Sequence, residues 1–328
     1  MADTDRISNL PDEVLFHILS FLPTEDVFAT SLVSNRFRPL WLSVTTLDFD
    51  EYRFTPPGTR SLVRSPPSSF IKFISAAILA CGIHQPIKKL RLWLSLPALD
   101  LIQPPSSFIQ SIHAAILRRS IHQPIKTLHL KGKYATFTDH IQTWLTAATV
   151  RNVESLQIQC CTMQGLILPC SILSSTNLVV LKMQCTKFKD FSSVELPSLK
   201  ALHLNGVYFF NAQHLMELLN GCPNLETLEA HQISFDYIDP SSKGKGKLKP
   251  LSKLVRADLS FMRMRILRAY NIDEFVREFC HDADIPIFPN LFQFRLILGG
   301  RFVKLEAVLY LLNHCPQLQT FVLGNDRI

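Results

Sequence analysis

Between Pro11 and Leu22 the apolar residues Val14, Leu15, Ile18, Leu19 and Leu22 recur three and four apart, the spacing that gathers side chains along one face of a helix. Pro11 suits the first helical position, and Asp12 and Glu13 put negative charge in the first turn, where the unpaired amides and the dipole favour it. Pro23 ends this helix. Thr24 is placed to cap a second one, reaching about Ser31 with Glu25 and Asp26 in its first turn. A third piece, about Ser34 to Trp41, carries Phe37, Leu40 and Trp41, and Pro39 keeps it short or bent. Chains below about 40 residues generally need a disulfide, a metal or a partner to stay folded. These helices therefore either cap a larger domain or dock on another protein, and periodicity alone leaves both open.

Residues 51–65 are rich in Pro, Arg and Ser without an apolar period, which predicts a linker. Beyond it the chain repeats itself. The segment PPSSFIKFISAAILACGIHQPIKKLRL, residues 66–92, returns as PPSSFIQSIHAAILRRSIHQPIKTLHL, residues 104–130, with 19 of 27 positions identical. In each copy a Ser pair can cap a helix, with Phe70, Ile74 and Ile78, or Phe108, Ile112 and Ile116, sharing one face; a proline then separates it from a strand ending Leu-x-Leu. The strand signature continues as VESLQI (153–158), NLVVLKM (177–183), LPSLKALHL (196–204), CPNLETLEA (222–230), LSKLVRADL (251–259), FPNLFQFRL (288–296) and CPQLQTFVL (315–323). Units this short bury their apolar faces only by stacking, which predicts a solenoid with one continuous core.

If each Leu and its i+2 partner point inward, the residues between them face outward on the concave side. That row holds His129, Gln157, Lys182, His203 and Glu229, flanked by Gln159, Gln184, Asn205 and His231. It is either a recognition surface for a target protein or the solvated side of the strands. The Asn or Cys expected just after the Leu-x-Leu core survives at Cys161 but is Thr186, Val207 and Ile233 in later units, so no regular asparagine ladder is expected there.

Composition adds mostly exclusions. Thirty-four basic against 27 acidic residues give a net charge of +7, a mild excess concentrated in no one tail, so nucleic acid is not the favoured partner. The start MADTDRISNLPDE lacks the features of a secretory signal, and no long apolar run predicts a membrane span. The eight cysteines form no CxxC pair and read as reduced thiols of a cytoplasmic and/or nuclear protein. No phosphate-loop, Rossmann, zinc-protease or nucleophile-elbow sequence occurs, and His84 and His122 recur through duplication, so neither an enzyme, a cofactor nor a metal is expected. The KGKGKLK run, Lys243 to Lys249, reads as a flexible solvated loop.

The stretch DRISNLPDEVLFHILSFLPTEDVFATSLVSNRFRPLW closely resembles an F-box, specifically that of the plant F-box/FBD/leucine-rich-repeat family. The Leu-Pro-Asp-Glu opening, the Ile-Leu-Ser-Phe-Leu-Pro helix end and the Val-Ser-x-Arg-aromatic-Arg-x-Leu-Trp close all stand in order. Residues 141–235 resemble the repeats of the same family, and FPNLFQFRLILGG to HCPQLQTFVLG resembles the opening of its FBD region. The resemblance implies binding to a Skp-family adaptor and, through it, to a cullin-RING ubiquitin ligase. It makes Leu10, Pro11, Leu15, Ile18, Leu19, Leu22, Val27, Leu32, Val33, Phe37 and Trp41 the adaptor-contacting or F-box core positions. Asn35 replaces a usual basic residue and Phe37 a usual Trp, keeping an aromatic anchor of smaller area.

The expected architecture is α+β. A small all-helical F-box (1–50) and a linker (51–65) precede an irregular α/β leucine-rich-repeat solenoid (66–285, with the duplication 66–92/104–130) and last repeats resembling a truncated FBD start (286–328). The expected role is the non-catalytic substrate receptor of an SCF-type ligase, with a non-ligase interaction scaffold as the alternative.

Overall fold

The structure is a computed structural model that describes residues 6–54, 68–84, 87–95, 109–110, 112–113, 116, 125–133, 138–160, 165–188, 191, 193–235, 248–261, 287–298 and 305–325. It divides into two compact units, Met1–Val153 and Glu154–Ile328.

The first unit opens with three short helices: α1 (Asp12–Leu19), α2 (Thr24–Val33) and α3 (Phe37–Leu42). Pro11 and Pro23 occupy the N-cap positions, one residue earlier than expected for Pro11, and neither helix has a side-chain cap. The acidic pairs Asp12–Glu13 and Glu25–Asp26 take over at the N-termini through their charge. Thr24 does not cap α2. It is buried in the first turn, and its hydroxyl accepts the Asp48 amide at 2.7 Å. The segment 1–50 is thus not helical throughout, because Thr46–Asp50 forms strand β1. Glu51–Phe54, placed in the linker by sequence, is a one-turn helix, α4, with Glu51 buried; residues 55–65 lie outside the described residues.

Helix α5 (Ser68–His84) and strand β2 (Lys89–Ser95) form the first copy of the duplication, with Phe70, Ile74 and Ile78 all buried. In the second copy Ile112 and Ile116 are buried in helical positions, Phe108 lies outside the described residues, and β3 spans Thr127–Lys133. β1, β2 and β3 pair in parallel, and β2 meets β3 from Lys89↔Thr127 to Ser95↔Lys133. The two copies therefore stack in the register that their sequence offset dictates. Helix α6 (Thr138–Val150) buries Ile141, Trp144, Leu145 and Ala148 at helical spacing.

An aromatic cluster joins the opening helices to the first repeat. Phe28 of α2 packs edge-on against Trp41 and Phe73 at centroid distances of 5.1 and 5.8 Å, and Phe73 also meets Phe49 and Phe54. The Cys81 thiol donates to the Trp41 carbonyl at 3.4 Å. Arg53 of α4 pairs with Glu25 and Asp26 of α2 at 3.1 and 2.9 Å.

The second unit is built on a parallel sheet of β4 (Ser155–Cys160), β6 (Val180–Gln184), β8 (Ala201–Asn205), β10 (Thr227–His231), β12 (Arg256–Phe261), β13 (Gln293–Leu298) and β14 (Thr320–Asn325). Every strand signature read from the sequence forms a strand here, starting two to five residues inside its motif. The Pro-x-Leu lead-in is a turn instead: Leu199 N donates to Leu196 O, Leu225 N to Cys222 O and Leu291 N to Phe288 O. Its leucine goes into the core, as Leu178, Leu199, Leu225, Leu254 and Leu291 are buried. One carbonyl per repeat then accepts two amides of the next, Glu154 O from Val179 and Val180, Val179 O from Lys200 and Ala201, Lys200 O from Glu226 and Thr227. Asn224 and Asn290 add side-chain bonds to Pro197 O and Ser252 O, both 2.6 Å. These asparagines precede the strand rather than come after it.

A second, smaller parallel sheet runs along the corners after the strands: β5 (Leu166–Leu168), β7 (Thr186–Phe188), β9 (Tyr208–Phe209) and β11 (Ser234–Phe235). Each corner is a left-handed residue, Cys185, Gly206 or Gln232 with φ of 51°, 61° and 54°. The ladder positions Thr186, Val207 and Ile233 turn inward and are buried, filling core where a buried asparagine would need partners. Helix α7 (Ala212–Asn220) is capped by Asn211, whose side chain accepts the His214 amide at 3.0 Å, and α8 spans Leu305–Asn313.

Candidate functional site

Two surfaces emerge, one in each unit. On the opening helices, the apolar positions that sequence treats as one face separate into two. Leu15 and Leu19 point into the unit with 1% and 3% of their surface exposed, joined by Val27, Leu40 and Trp41. Ile7, Pro11, Val14, Ile18 and Phe21 are instead exposed: Val14 and Ile18 share the outward face of α1, Ile7 and Pro11 lie in the segment leading into it, and Phe21 lies in the turn that follows it. Phe21 is 73% exposed and stands edge-on to the His17 ring at 4.9 Å. Leu32 and Val33 at the end of α2 are 70% and 87% exposed.

The structure therefore divides the residues named from sequence. Leu15, Leu19, Val27 and Trp41 are core; Pro11, Ile18, Leu32 and Val33 are open to solvent; Leu10, Leu22 and Phe37 are half-buried. Ile7, Val14 and Phe21 were missed. For Val14 the signal is the run of apolar residues in α1, which gives the helix two apolar faces; Ile7 and Phe21 lie outside the helix, where its period does not reach. Single exposed hydrophobics need no explanation, but five exposed apolar residues in and around α1, with two more at the end of α2, make a larger apolar surface than scattered side chains would.

Electrostatics tighten the setting. Burial raises the Glu25 carboxyl above the ordinary glutamate value, against the lowering effect of Arg53. Arg53 stands 3.1 Å from Glu25 Oε1 but out of hydrogen-bond alignment, and both carboxylate oxygens are buried without a hydrogen bond, so burial dominates. Asp50 is raised for the same reason.

In the second unit, Gln157, Lys182, His203 and Glu229 stand in one register row on the outward side of the larger sheet: Gln157↔Lys182, Lys182↔His203, His203↔Glu229. The row continues through Asp258, Arg295 and Val322, which sequence reasoning left out. His203 Nδ1 is hydrogen-bonded to the Glu229 carboxylate. His231 and Arg295 approach Asp258 at 3.6 and 3.7 Å, Arg256 donates to Gln293 at 2.9 Å, and the Gln159 and Gln184 amides bond to each other. His129 lies in the first unit, in the row Asp48, Arg91, His129, where Arg91 pairs with Asp48 at 3.1 Å. Apart from Val322 both rows are polar; Asp48 and Asp258 have the guanidinium groups of Arg91 and Arg295 beside them, and Glu229 bonds to the His203 ring.

Among the described residues no group of three or more His, Cys, Asp or Glu is placed to hold a metal, and no helix is long and apolar enough to cross a membrane.

Comparison with known proteins finds one family match within the first unit and a second that runs from its last helix into the second unit. The F-box domain family matches residues 7–48, so it begins at Ile7, the first of these exposed residues, and ends inside β1. The repeat family described as "FBD-associated F-box protein At5g56370, LRR repeats" matches residues 141–244. Three similar proteins are from Arabidopsis thaliana. F-box/FBD/LRR-repeat protein At2g04230 is 31% identical over 235 residues, covering 70% of this chain and 43% of that protein. F-box/FBD/LRR-repeat protein At4g26340 is 32% identical over 250 residues, covering 72% and 48%. F-box/FBD/LRR-repeat protein At1g51370 is 27% identical over 317 residues, covering 93% and 55%. The chain spans about half the length of the curated relatives it matches.

Proposed function

The chain belongs to the plant F-box/FBD/leucine-rich-repeat proteins, and from that premise we propose that it is the substrate-receptor subunit of an SCF-type cullin-RING ubiquitin ligase. The exposed stripe Ile7, Pro11, Val14, Ile18 and Phe21, with Leu32 and Val33, docks on a Skp-family adaptor. The outward rows of the strands hold the target protein. Ubiquitin transfer is carried out by other subunits, and this chain contributes proximity by holding the target within reach.

The observation that carries this reading is the double-faced opening helix. Leu15 and Leu19 are the buried residues of α1, while Val14 and Ile18 on its other face keep 43% and 41% of their surface in solvent. Desolvating one such side chain contributes up to about 1.5–3 kcal/mol gross, enough for a few anchors to outweigh the cost of association. The buried cysteines Cys81, Cys160, Cys222 and Cys315, none in a disulfide, suit a reducing compartment, cytoplasm or nucleus.

The test is capture of a Skp-family adaptor by the full chain, beside Ile18→Asp and Phe21→Asp. Both substitutions sit on exposed positions and leave the core intact. Capture that is lost in both variants supports the reading. A folded wild-type chain that captures no adaptor removes it, and an interaction scaffold acting without ubiquitin transfer then leads.

A further inference from the structure

We propose that Arg36 is a positioning residue for the adaptor-docking stripe, an assignment that rests on the receptor reading above. Arg36 is at the start of α3, yet its guanidinium reaches back across the sequence to the turn that leads into α1. Nη1 donates to the Ser8 carbonyl, and Nη2 donates to the Leu10 carbonyl at 2.5 Å and to Asp12 Oδ1 at 3.0 Å. The turn itself is closed by one backbone bond, Leu10 N to Ile7 O at 3.0 Å. Ile7 and Pro11, the first two members of the stripe, flank the carbonyls that the guanidinium holds.

The planar guanidinium reaches the two carbonyls and the carboxylate from two separate nitrogens in a fixed fork, whereas a Lys ammonium presents its three donors from a single atom on a flexible stem. Arg36 touches the docking surface through the backbone and not through its apolar side chains, so its contribution is order. With the turn held, the adaptor meets Ile7 and Pro11 already in line with Val14, Ile18 and Phe21. Without it, binding has to order this segment at the moment of association.

Titration calorimetry of the full chain against a plant Skp-family adaptor tests this with Arg36→Ala, Arg36→Lys, Ile7→Ala and the pair Arg36→Ala/Ile7→Ala, alongside hydrogen exchange of residues 7–11. Arg36→Ala is expected to bind about tenfold more weakly, with Arg36→Lys recovering only part of the loss. Ile7→Ala should weaken the parent severalfold and add little in the Arg36→Ala background, a non-additivity that general loss of stability does not produce. Equal affinity of Arg36→Ala and the parent, or the same Ile7→Ala penalty in both backgrounds, overturns the assignment. If Arg36→Ala fails to fold, the same coupling is read with Arg36→Lys. If the parent binds no adaptor, the receptor reading fails on its own, and exchange decides for Arg36: protection lost in the variant sustains the positioning role, unchanged protection ends it.

Discussion

Replacing Phe21 with Ala is expected to weaken adaptor binding about 30- to 150-fold while leaving the fold nearly untouched. Phe21 has 73% of its surface in solvent, whereas Leu19, two residues earlier, has 3%. Covering an aromatic side chain removes about 150–250 Å² from water, and three quarters of that at about 25 cal/mol per Å² is roughly 3–4.5 kcal/mol gross. Truncation keeps Cβ and spares the ordering cost, so about 2–3 kcal/mol of affinity should be lost. Leu19→Ala acts on the other face. A buried leucine cut to alanine costs about 2–5 kcal/mol of folding stability, which in a unit of this size lowers Tm by about 5–15 °C. Calorimetric titration with the adaptor and thermal unfolding by circular dichroism, run on both variants, separate the two faces. The reasoning is refuted if Phe21→Ala binds like the parent, or if it loses as much Tm as Leu19→Ala.

Three further outcomes are expected at particular positions. A Cβ at Gly221 would sit inside contact distance of the Val194 side chain and carbonyl, so Gly221→Ala should cost about 1–3 kcal/mol in chemical denaturation. Gln232 holds a left-handed backbone at φ 54°, so Gln232→Gly should stabilise by up to about 1 kcal/mol, while Gly206→Ala, at φ 61°, should do the opposite. Burial raises the folded-state pKa of Glu25 above 4.5, so its contribution to stability is present below that pH and is lost as pH rises through the raised value. Glu25→Gln should therefore flatten the fall in Tm as pH rises above 4.5; a variant that melts with the parent's pH slope would contradict the assignment.

The repeats were legible because Leu-x-Leu strands buried on one side leave a period-two mark, and because the duplication fixes its own register, Lys89 against Thr127. The smaller sheet was not legible, since strands as short as Tyr208–Phe209 and Ser234–Phe235 carry no period. β1 escaped notice because TLDFD succeeds the helices without a break and takes its partner from residues 89–93. At the docking helices the difficulty was an excess of signal: with residues 14, 15, 16, 18, 19, 21 and 22 all apolar, spacing cannot say which stripe is inward. Burial of Leu15 and Leu19 against Trp41 and Val27 decides it. Asp258 and Arg295 stand in strands that the sequence marks, and they continue the row from Glu229 by pairing register.

Thr24 has a consequence for how such a chain can diverge over generations. Its hydroxyl closes the outer edge of β1, and Phe28 and Trp41 cover the aromatic end of the first repeat. The helices that would carry the chain to its adaptor are therefore also the lid that keeps the first strand from pairing with strangers. Under the proposed function, change at Ile18 or Phe21 would touch docking alone, whereas change at Thr24 or Phe28 would undo the bond to β1 or the aromatic contact with the first repeat. Under that reading, a chain that no longer docked would still need the inner half of these helices, because Leu15, Leu19, Val27 and Trp41 belong to the core of the first unit.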